Sequence, residues 1–305
     1  MLRPIYPEDS NVKQTLSWYR KTDPWLFLIP TLLGLIVFRL GPIIGSFFLS
    51  FTDWDIIKKP RFLGLGNYKE LFTNPSFIQV LFNTLSFALI YVVGVTVIGL
   101  FLAILLNRRF KGIGFFRSAF YTPVVTSAVA VGIIWSWILS PNYGVLNLIL
   151  LKFGITPPYW LGDKNLALFT VASVQVWKMA GYYMIIFLAG LQNIPKSLKE
   201  AAVIDGAGPA RSFFSITLPL LSPTTFFVVS VAIIDSFKNF ELIYAMTKGG
   251  PQNATNTLVY DVYLNAFVYY RMGYASTVAY VLLALVAGFS LLNFTLKKRW
   301  VNYQY

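Results

Sequence analysis

Six long apolar stretches constrain this chain more than any other feature of its sequence. They cover residues 25–51, 78–106, 118–139, 166–191, 220–246 and 272–296. A helix needs about 20 mostly apolar residues to cross the hydrocarbon of a bilayer. The composition agrees, because 56% of the residues are hydrophobic and 12% are charged, against about 25% charged in an ordinary soluble domain. We therefore predict an all-α integral membrane protein with six transmembrane helices.

The segments outside these stretches are short. Residues 145–151 are apolar but too few to cross, so we predict a short helix at the membrane surface. Residues 1–24 are polar and are predicted to form a cytoplasmic segment ahead of one membrane domain, which covers residues 25–305. The first apolar stretch is longer than the core of a signal peptide, and we therefore expect no cleavage.

The basic residues predict the orientation in the membrane. With six crossings, both termini and two of the connections lie on the same side. Of the 25 Lys and Arg residues, 14 fall on that side, eight on the other and three within the spans. Cytoplasmic segments carry the excess of Lys and Arg, so we place both termini in the cytoplasm.

The formal net charge of +13 has two interpretations. In a soluble protein such a charge indicates a nucleic-acid partner. Here the basic residues lie mostly between hydrophobic stretches, which favours membrane orientation and attraction to anionic lipid. We therefore predict membrane lipid, and no nucleic acid, as a partner.

The chain contains no Cys and no His. This excludes disulfides and thiolate chemistry, and it removes the commonest metal ligand and the commonest base near neutral pH. A membrane-embedded enzyme would need a convergent set of acid, base or metal ligands. We therefore predict no catalytic residue and no metal site.

The connection between the fourth and fifth stretches carries the most specific pattern. Residues 194–223 read IPKSLKEAAVIDGAGPARSFFSITLPLLSP. Ser197 followed by Glu200 is typical of a capping box at a helix N-terminus. The Gly-rich stretch that begins at Gly206 predicts the end of that helix, and Pro209 suits the first position of a second one. The sequence therefore predicts two short helices joined by a turn.

Such a pair of helices has several interpretations. In a soluble chain it would fit a helix-turn-helix that reads DNA, but both of its ends run directly into membrane spans. It also fits a helical hairpin that lies on the membrane. A third interpretation is close docking of another protein, which is favoured by the small residues Ala201, Ala202, Gly206 and Ala207.

The loop resembles the EAA signature of the permease subunits of binding-protein-dependent ABC importers. Eight positions at fixed spacing carry the resemblance: Glu200, Ala201, Ala202, Gly206 and the run Ile216-Thr217-Leu218-Pro219. Further parts of the chain, residues 28–42, 237–258 and 267–275, are similar to the maltose-type carbohydrate branch of this family. The chain is closer to its shorter six-span members, such as the sugar and glycerol-phosphate permeases, than to the maltose subunit with extra spans and an outer domain.

The resemblance implies a fold, a location and a function. The fold is the type I importer transmembrane domain, in a bacterial cytoplasmic (inner) membrane. The function is ATP-driven import of a sugar, an oligosaccharide or a sugar-phosphate-like solute. The alternative is a secondary transporter or channel without an ATPase, and such a protein would not need the loop 194–223.

The resemblance also implies partners. These are a dimer of ATP-binding-cassette ATPases, a second homologous permease subunit and an extracytoplasmic solute-binding protein. This chain has no Gly-x-x-x-x-Gly-Lys-Ser/Thr phosphate loop, so we expect it to bind no cofactor and the partner ATPase to bind ATP and Mg²⁺. The residues implied to couple to the ATPase are Glu200, Ala201, Ala202, Asp205, Gly206 and Gly208.

Polar residues within the spans are the candidates for the substrate path. A charge within a span costs about 2.5–3.5 kcal/mol on insertion scales and usually faces protein or water. Asp235 and Lys238 are three residues apart and can form an ion pair. That pair is either structural or part of a cavity that is also lined by Asn239 and Glu241. Further candidates are Gln175, Lys178, Tyr182 and Asn83.

Overall fold

The computed structural model describes residues 26–108 and 110–301, and this part of the chain is almost entirely helical. The helices are α1 (Leu26–Leu49), α2 (Gly66–Thr73), α3 (Pro75–Leu106), α4 (Ile113–Val125), α5 (Ala128–Ile138), α6 (Val145–Lys152), α7 (Ala167–Gln192), α8 (Lys196–Ile204), α9 (Pro209–Leu220), α10 (Ser222–Ser236), α11 (Glu241–Met246), α12 (Leu258–Val268) and α13 (Met272–Trp300). The predicted N-terminal segment 1–24 and Trp25 lie outside the described residues.

Four of these helices, α1, α3, α7 and α13, are each long and apolar enough to cross a membrane. Two bent pairs, α4 with α5 and α9 with α10, bring the total to six if each pair is one span. The predicted all-α membrane architecture is therefore confirmed. The short helix predicted at 145–151 is also present, as α6.

The centre of the bundle is the contact between α3 and α7. Large aromatic side chains fill it, and Tyr91, Tyr183 and Phe187 are fully buried there. At Gly181 of α7, an added Cβ would lie 2.0 Å from the backbone oxygen of Phe120 in α4. Glycine is therefore required at this position, because the two helix backbones touch.

Within residues 26–108 and 110–301, strands occur only in the connection between α1 and α2. β1 (Thr52–Asp53) pairs antiparallel with β2 (Arg61–Phe62), with Thr52 opposite Phe62. The buried amide of Asn67 donates to the backbone oxygens of Ser50 and Thr52, at 2.9 and 2.8 Å. These hydrogen bonds fix the end of the first span against α2.

The predicted third span, 118–139, is sharply bent and is not one straight helix. The helix stops at Val125, restarts at Ala128 and bends by 100° between them. A carbonyl near such a break needs a new partner. The Nζ of Lys178 in α7 donates to the backbone oxygen of Val124 at 3.0 Å, a contact that the sequence of this span does not reveal.

The predicted fifth span, 220–246, which is interrupted in sequence by Asp235, Lys238 and Glu241, is not one helix either. It begins with a 63° bend between α9 and α10, where Pro223 has no N–H to donate to the backbone oxygen of Pro219. The Ser222 hydroxyl donates to that oxygen instead, at 2.6 Å. The helix then ends at Ser236, and α11 starts at Glu241, so a non-helical break separates the two.

Candidate functional site

The loop between α7 and α10 forms a hairpin of two helices, as predicted. Helix α8 ends at Ile204, and Gly206 adopts a positive φ of 75°. The Ala207 N–H donates back to the backbone oxygen of Ala202 at 2.8 Å, which closes the turn. Pro209 occupies one of the first two positions of α9, as expected from its missing N–H.

The two glycines of this turn have different physical roles. A Cβ at Gly206 would meet no atom within 4 Å, but the left-handed backbone disfavours other residues. Gly208 has a φ of −66°, which any residue adopts, and a Cβ there would also enter open space. The fold of the described chain therefore requires glycine at 206 but not at 208.

The tip of the hairpin exposes apolar side chains. Val203 is 70% exposed and Ile204 is 86% exposed, although both are aliphatic. Glu200, Ala201 and Asp205 are also exposed. The tip thus combines a small apolar surface with two carboxylates at its edge, which is a composition suited to contact with another protein.

Ala202 differs from the other predicted coupling residues because it is buried. Its exposed fraction is 5%, and it lies in a cleft of about 340 Å³ between α8 and α9. The cleft is also lined by Asp205, Arg211 and Ile216. Ala202 therefore spaces the two helices, whereas Ala201 is available to a partner.

The capping box predicted at Ser197 and Glu200 is wrong. The N-cap of α8 is Pro195, and the structure has no side-chain cap at this helix start. Helix α8 begins at Lys196, so Ser197 already has a helical backbone. A capping serine must stand just outside the helix in an extended conformation. Ser197 is past that position, and Glu200 is simply an exposed acid.

Within the fifth span, the predicted pair of Asp235 and Lys238 is present. The Nζ of Lys238 lies 3.8 Å from Oδ1 of Asp235. The Tyr183 hydroxyl, from α7, donates to the other carboxylate oxygen at 3.1 Å. The Tyr91 hydroxyl donates in turn to that of Tyr183 at 3.5 Å. The carboxylate thus joins a buried pair of tyrosines to an exposed ammonium.

The two ends of this network differ in exposure. The side chain of Lys238 is 68% exposed, whereas that of Asp235 is 31% exposed and Tyr183 is fully buried. Asp235 is therefore held by the fold, and Lys238 extends from it towards open space. A flexible exposed ammonium can bind a solute oxygen, and it can also form an ion pair that adds little stability.

Asn239 and Glu241 follow at the break between α10 and α11. Asn239 is 6% exposed, and its Nδ2 has no hydrogen-bond partner among the described residues. Glu241 is exposed at the start of α11 and is close enough to Lys178 to interact electrostatically with it. The break therefore presents the carboxylate of Glu241 beside the exposed Lys238, and the unpartnered amide nitrogen of Asn239 is buried beneath them.

The remaining predicted path residues are three side chains of α7 and, in a different contact, Asn83 of α3. Gln175 and Tyr182 are half-buried on α7. Lys178 is 6% exposed, and its ammonium is used by the helix break in the third span. Asn83 lies in a different contact, because its amide donates to the backbone oxygens of Asn253 and Asn256 at 2.8 and 3.0 Å. Asn83 thus anchors the loop that precedes α12.

Sequence reasoning missed Tyr183 and the apolar tip of the hairpin. It named Tyr182, but adjacent helical positions point about 100° apart. Tyr183 is the tyrosine that donates to Asp235, and only the position of Asp235, 52 residues further along the chain, identifies it. Val203 and Ile204 did carry a signal, since two aliphatic residues stand directly before the predicted turn at Asp205 and Gly206. No group of three or more His, Cys, Asp or Glu side chains suited to a metal ion occurs among the described residues.

Known proteins with this sequence pattern are transport components. The family model described as "Binding-protein-dependent transport system inner membrane component" matches residues 95–300. The arabinooligosaccharides transport system permease protein AraP of Bacillus subtilis is 36% identical, over 96% of this chain and 95% of its own length. The sn-glycerol-3-phosphate transport system permease protein UgpA of Pectobacterium atrosepticum is 32% identical, over 92% and 96%.

The fold has a counterpart among solved structures. A chain of a bacterial alginate ABC transporter, solved with a periplasmic protein that carries an alginate pentasaccharide, aligns with a TM-score of 0.81. The alignment covers 92% of this chain and 97% of that chain at 23% identity, so it supports the fold alone. The sequence matches confirm the resemblance that the EAA loop indicated. This chain belongs to the binding-protein-dependent inner membrane components, the permease family of ABC importers.

Proposed function

We propose that this chain forms, with a second permease subunit, the path by which an ABC importer takes up a carbohydrate or a sugar-phosphate-like solute. The observation that carries the proposal is the exposed tip of the hairpin, where Val203 and Ile204 stand in solvent beside Glu200 and Asp205. The names of the relatives support the solute class, since they refer to arabino-oligosaccharides and sn-glycerol-3-phosphate.

The hairpin is the proposed contact with the ATPase. Its tip offers an apolar surface, and the open space around Gly208 allows a partner backbone to approach closely. Glu200 is exposed and is suited to a basic residue of the ATPase. ATP and Mg²⁺ would be bound by that partner, and the rigid turn at Gly206 would transmit its motion to α9 and the fifth span.

A second permease subunit is proposed to cover the face that bears Lys238. Charged groups at the depth of the hydrocarbon are stable only when they face protein or water. Lys238 and Glu241 are both exposed in the single chain, so a second subunit and a water-filled path between the two would satisfy them. Asn239 is a further candidate for the path, but its Nδ2 is buried in the single chain and would meet a sugar hydroxyl only after the break moves.

The proposed location is the bacterial inner membrane, with both termini and the hairpin in the cytoplasm. The excess of Lys and Arg on that side supports this orientation. An extracytoplasmic solute-binding protein would then deliver the solute at the opposite side, where the strands β1 and β2 lie.

Reconstitution of the importer tests the proposal. The solute is first identified by a thermal-shift screen of the cognate binding protein against a panel of sugars. The permease pair, the ATPase and the binding protein are then placed in liposomes, and uptake of that solute is measured with and without ATP. We expect uptake only with ATP and with all components present. Uptake without the ATPase would identify a secondary transporter and contradict the proposal.

A further inference from the structure

A large basic cavity lies at the end of the bundle that carries the hairpin. Its volume is about 910 Å³, and it is formed by the end of α3, the start of α4, the end of α7 and the start of α8. Among the described residues that line it, none is acidic and four are cationic: Arg108, Lys111, Arg117 and Lys196. This cavity is distinct from the hairpin tip and from the polar break in the fifth span.

Two helix N-termini add to the positive potential of the cavity. Helix α4 begins at Ile113 and α8 at Lys196, and both residues line the cavity. Neither helix start has a side-chain cap or an acidic residue in its first turn. The free N–H groups at a helix N-terminus carry a partial positive charge and bind anions. The cavity therefore combines backbone and side-chain groups of the same sign.

Arg117 is held in place at the wall of the cavity. One of its terminal nitrogens donates to the backbone oxygen of Leu106 at 2.8 Å. This hydrogen bond holds the guanidinium at the wall of the cavity, which Arg117 lines. Its charge therefore adds to the positive potential there.

The rest of the lining indicates what kind of anion fits. Phe110, Leu191 and Ile194 form an apolar wall beside the cations. The cavity also lies where α3 and α7 end, which is the level of lipid headgroups for spans of this length. A ligand with a phosphate and an attached apolar chain matches both the cations and the apolar wall. The general excess of Lys and Arg on one side of the membrane does not explain why these cations line the same cavity.

We propose that this cavity binds the phosphate of an anionic phospholipid, with the first carbons of its acyl chains against the apolar wall. Basic pockets between membrane helices are suited to such headgroups. The cations and the two helix N-termini would neutralise the phosphate. The bound lipid would hold the connection between α3 and α4 against the start of the hairpin.

Lipid titration of the purified full-length chain, read by native mass spectrometry, tests this. The probes are phosphatidylglycerol, phosphatidylcholine with the same acyl chains, and inorganic phosphate. The variant Lys111→Gln/Lys196→Gln removes two cavity charges. The matched control is Lys59→Gln/Lys69→Gln, which removes two exposed charges from the connection between α1 and α3.

We expect the unmodified chain to prefer phosphatidylglycerol to phosphatidylcholine. The cavity variant should lower the phosphatidylglycerol affinity about tenfold, while the control keeps it. Equal binding of the two lipids, or an unchanged affinity in the cavity variant, would overturn the proposal. Displacement of phosphatidylglycerol by an equal concentration of inorganic phosphate would assign the cavity to a soluble anion and also overturn it.

A protein ligand is the remaining outcome. If the cavity variant binds phosphatidylglycerol normally but no longer copurifies with the ATPase, the cavity is a protein contact and the lipid assignment is wrong. The titration uses the permease chain without its ATPase, so its result does not depend on whether the importer function is correct.

Discussion

The hairpin of α8 and α9 and the break between α10 and α11 are both polar interruptions of a membrane bundle, yet different forces hold them. The hairpin is closed by short-range backbone contacts, such as the bond from Ala207 to Ala202 five residues earlier. The break is held by a contact between Tyr183 and Asp235, which are 52 residues apart. Local sequence therefore specifies the hairpin, whereas packing specifies the break.

This difference predicts how the two regions respond to mutation. A change in the hairpin should remove a partner contact and leave the bundle intact, because the tip is exposed. A change at the buried end of the break should weaken the bundle itself. Substitutions that separate stability from transport therefore test the comparison directly.

The largest effect is expected for Gly206→Val. A β-branched residue at a φ of 75° costs about 1–3 kcal/mol of backbone strain, so the turn should adopt another conformation and redirect α8 relative to α9. We expect normal membrane insertion but loss of copurification with the ATPase and of ATP-driven uptake. Affinity purification and uptake by the reconstituted importer measure these.

Gly208→Ala is the comparison for the effect on the chain itself, because it changes the second glycine of the turn without backbone strain. Its φ is −66° and the added methyl enters open space, so the chain alone should tolerate it fully. If Gly208→Ala also abolishes copurification while thermal stability is unchanged, the ATPase approaches Gly208 closely. If Gly206→Val copurifies normally, the hairpin is not the docking site.

The next largest effect is a difference in stability between variants of Asp235 and Lys238, the buried and exposed ends of the network. Asp235→Leu leaves the buried Tyr183 hydroxyl without its carboxylate acceptor, which should lower the free energy of unfolding by about 1–3 kcal/mol. Lys238→Ala removes an exposed ion pair, which contributes about 0–1 kcal/mol, so stability should hardly change. Thermal unfolding in detergent measures both variants.

If Lys238 contacts the solute, its loss should lower transport although it hardly changes stability. We expect Lys238→Ala to lower uptake several-fold at unchanged expression, which normalised uptake by the reconstituted importer measures. Tyr183→Phe is the control, because it removes the hydroxyl and keeps the ring in the core. Normal uptake by Lys238→Ala would exclude it from the solute path and leave the ion pair as a structural feature.

The same contrast explains how much of the molecule the sequence predicts. The number of spans and the hairpin follow from apolar length and from turn residues, both of which act over a few positions. The contact at the 100° bend after Val125 does not, because the ammonium that reaches the backbone oxygen of Val124 comes from α7, 54 residues further on. The role of Asn83 was equally inaccessible, since its partners lie about 170 positions further on.

The smallest predicted effect concerns Ser197, where sequence reasoning was wrong within the region that it otherwise described well. A capping serine contributes about 0.5–2 kcal/mol to its helix, so its loss would speed amide exchange across α8 several-fold. The N-cap is Pro195 instead, and Ser197 follows Lys196 inside the helix. We therefore expect Ser197→Ala to leave hydrogen exchange of α8 unchanged or slightly slower, because alanine favours helix more than serine. Faster exchange would show that Ser197 caps the helix in solution, and the hairpin would then be set by side chains as well as by its backbone.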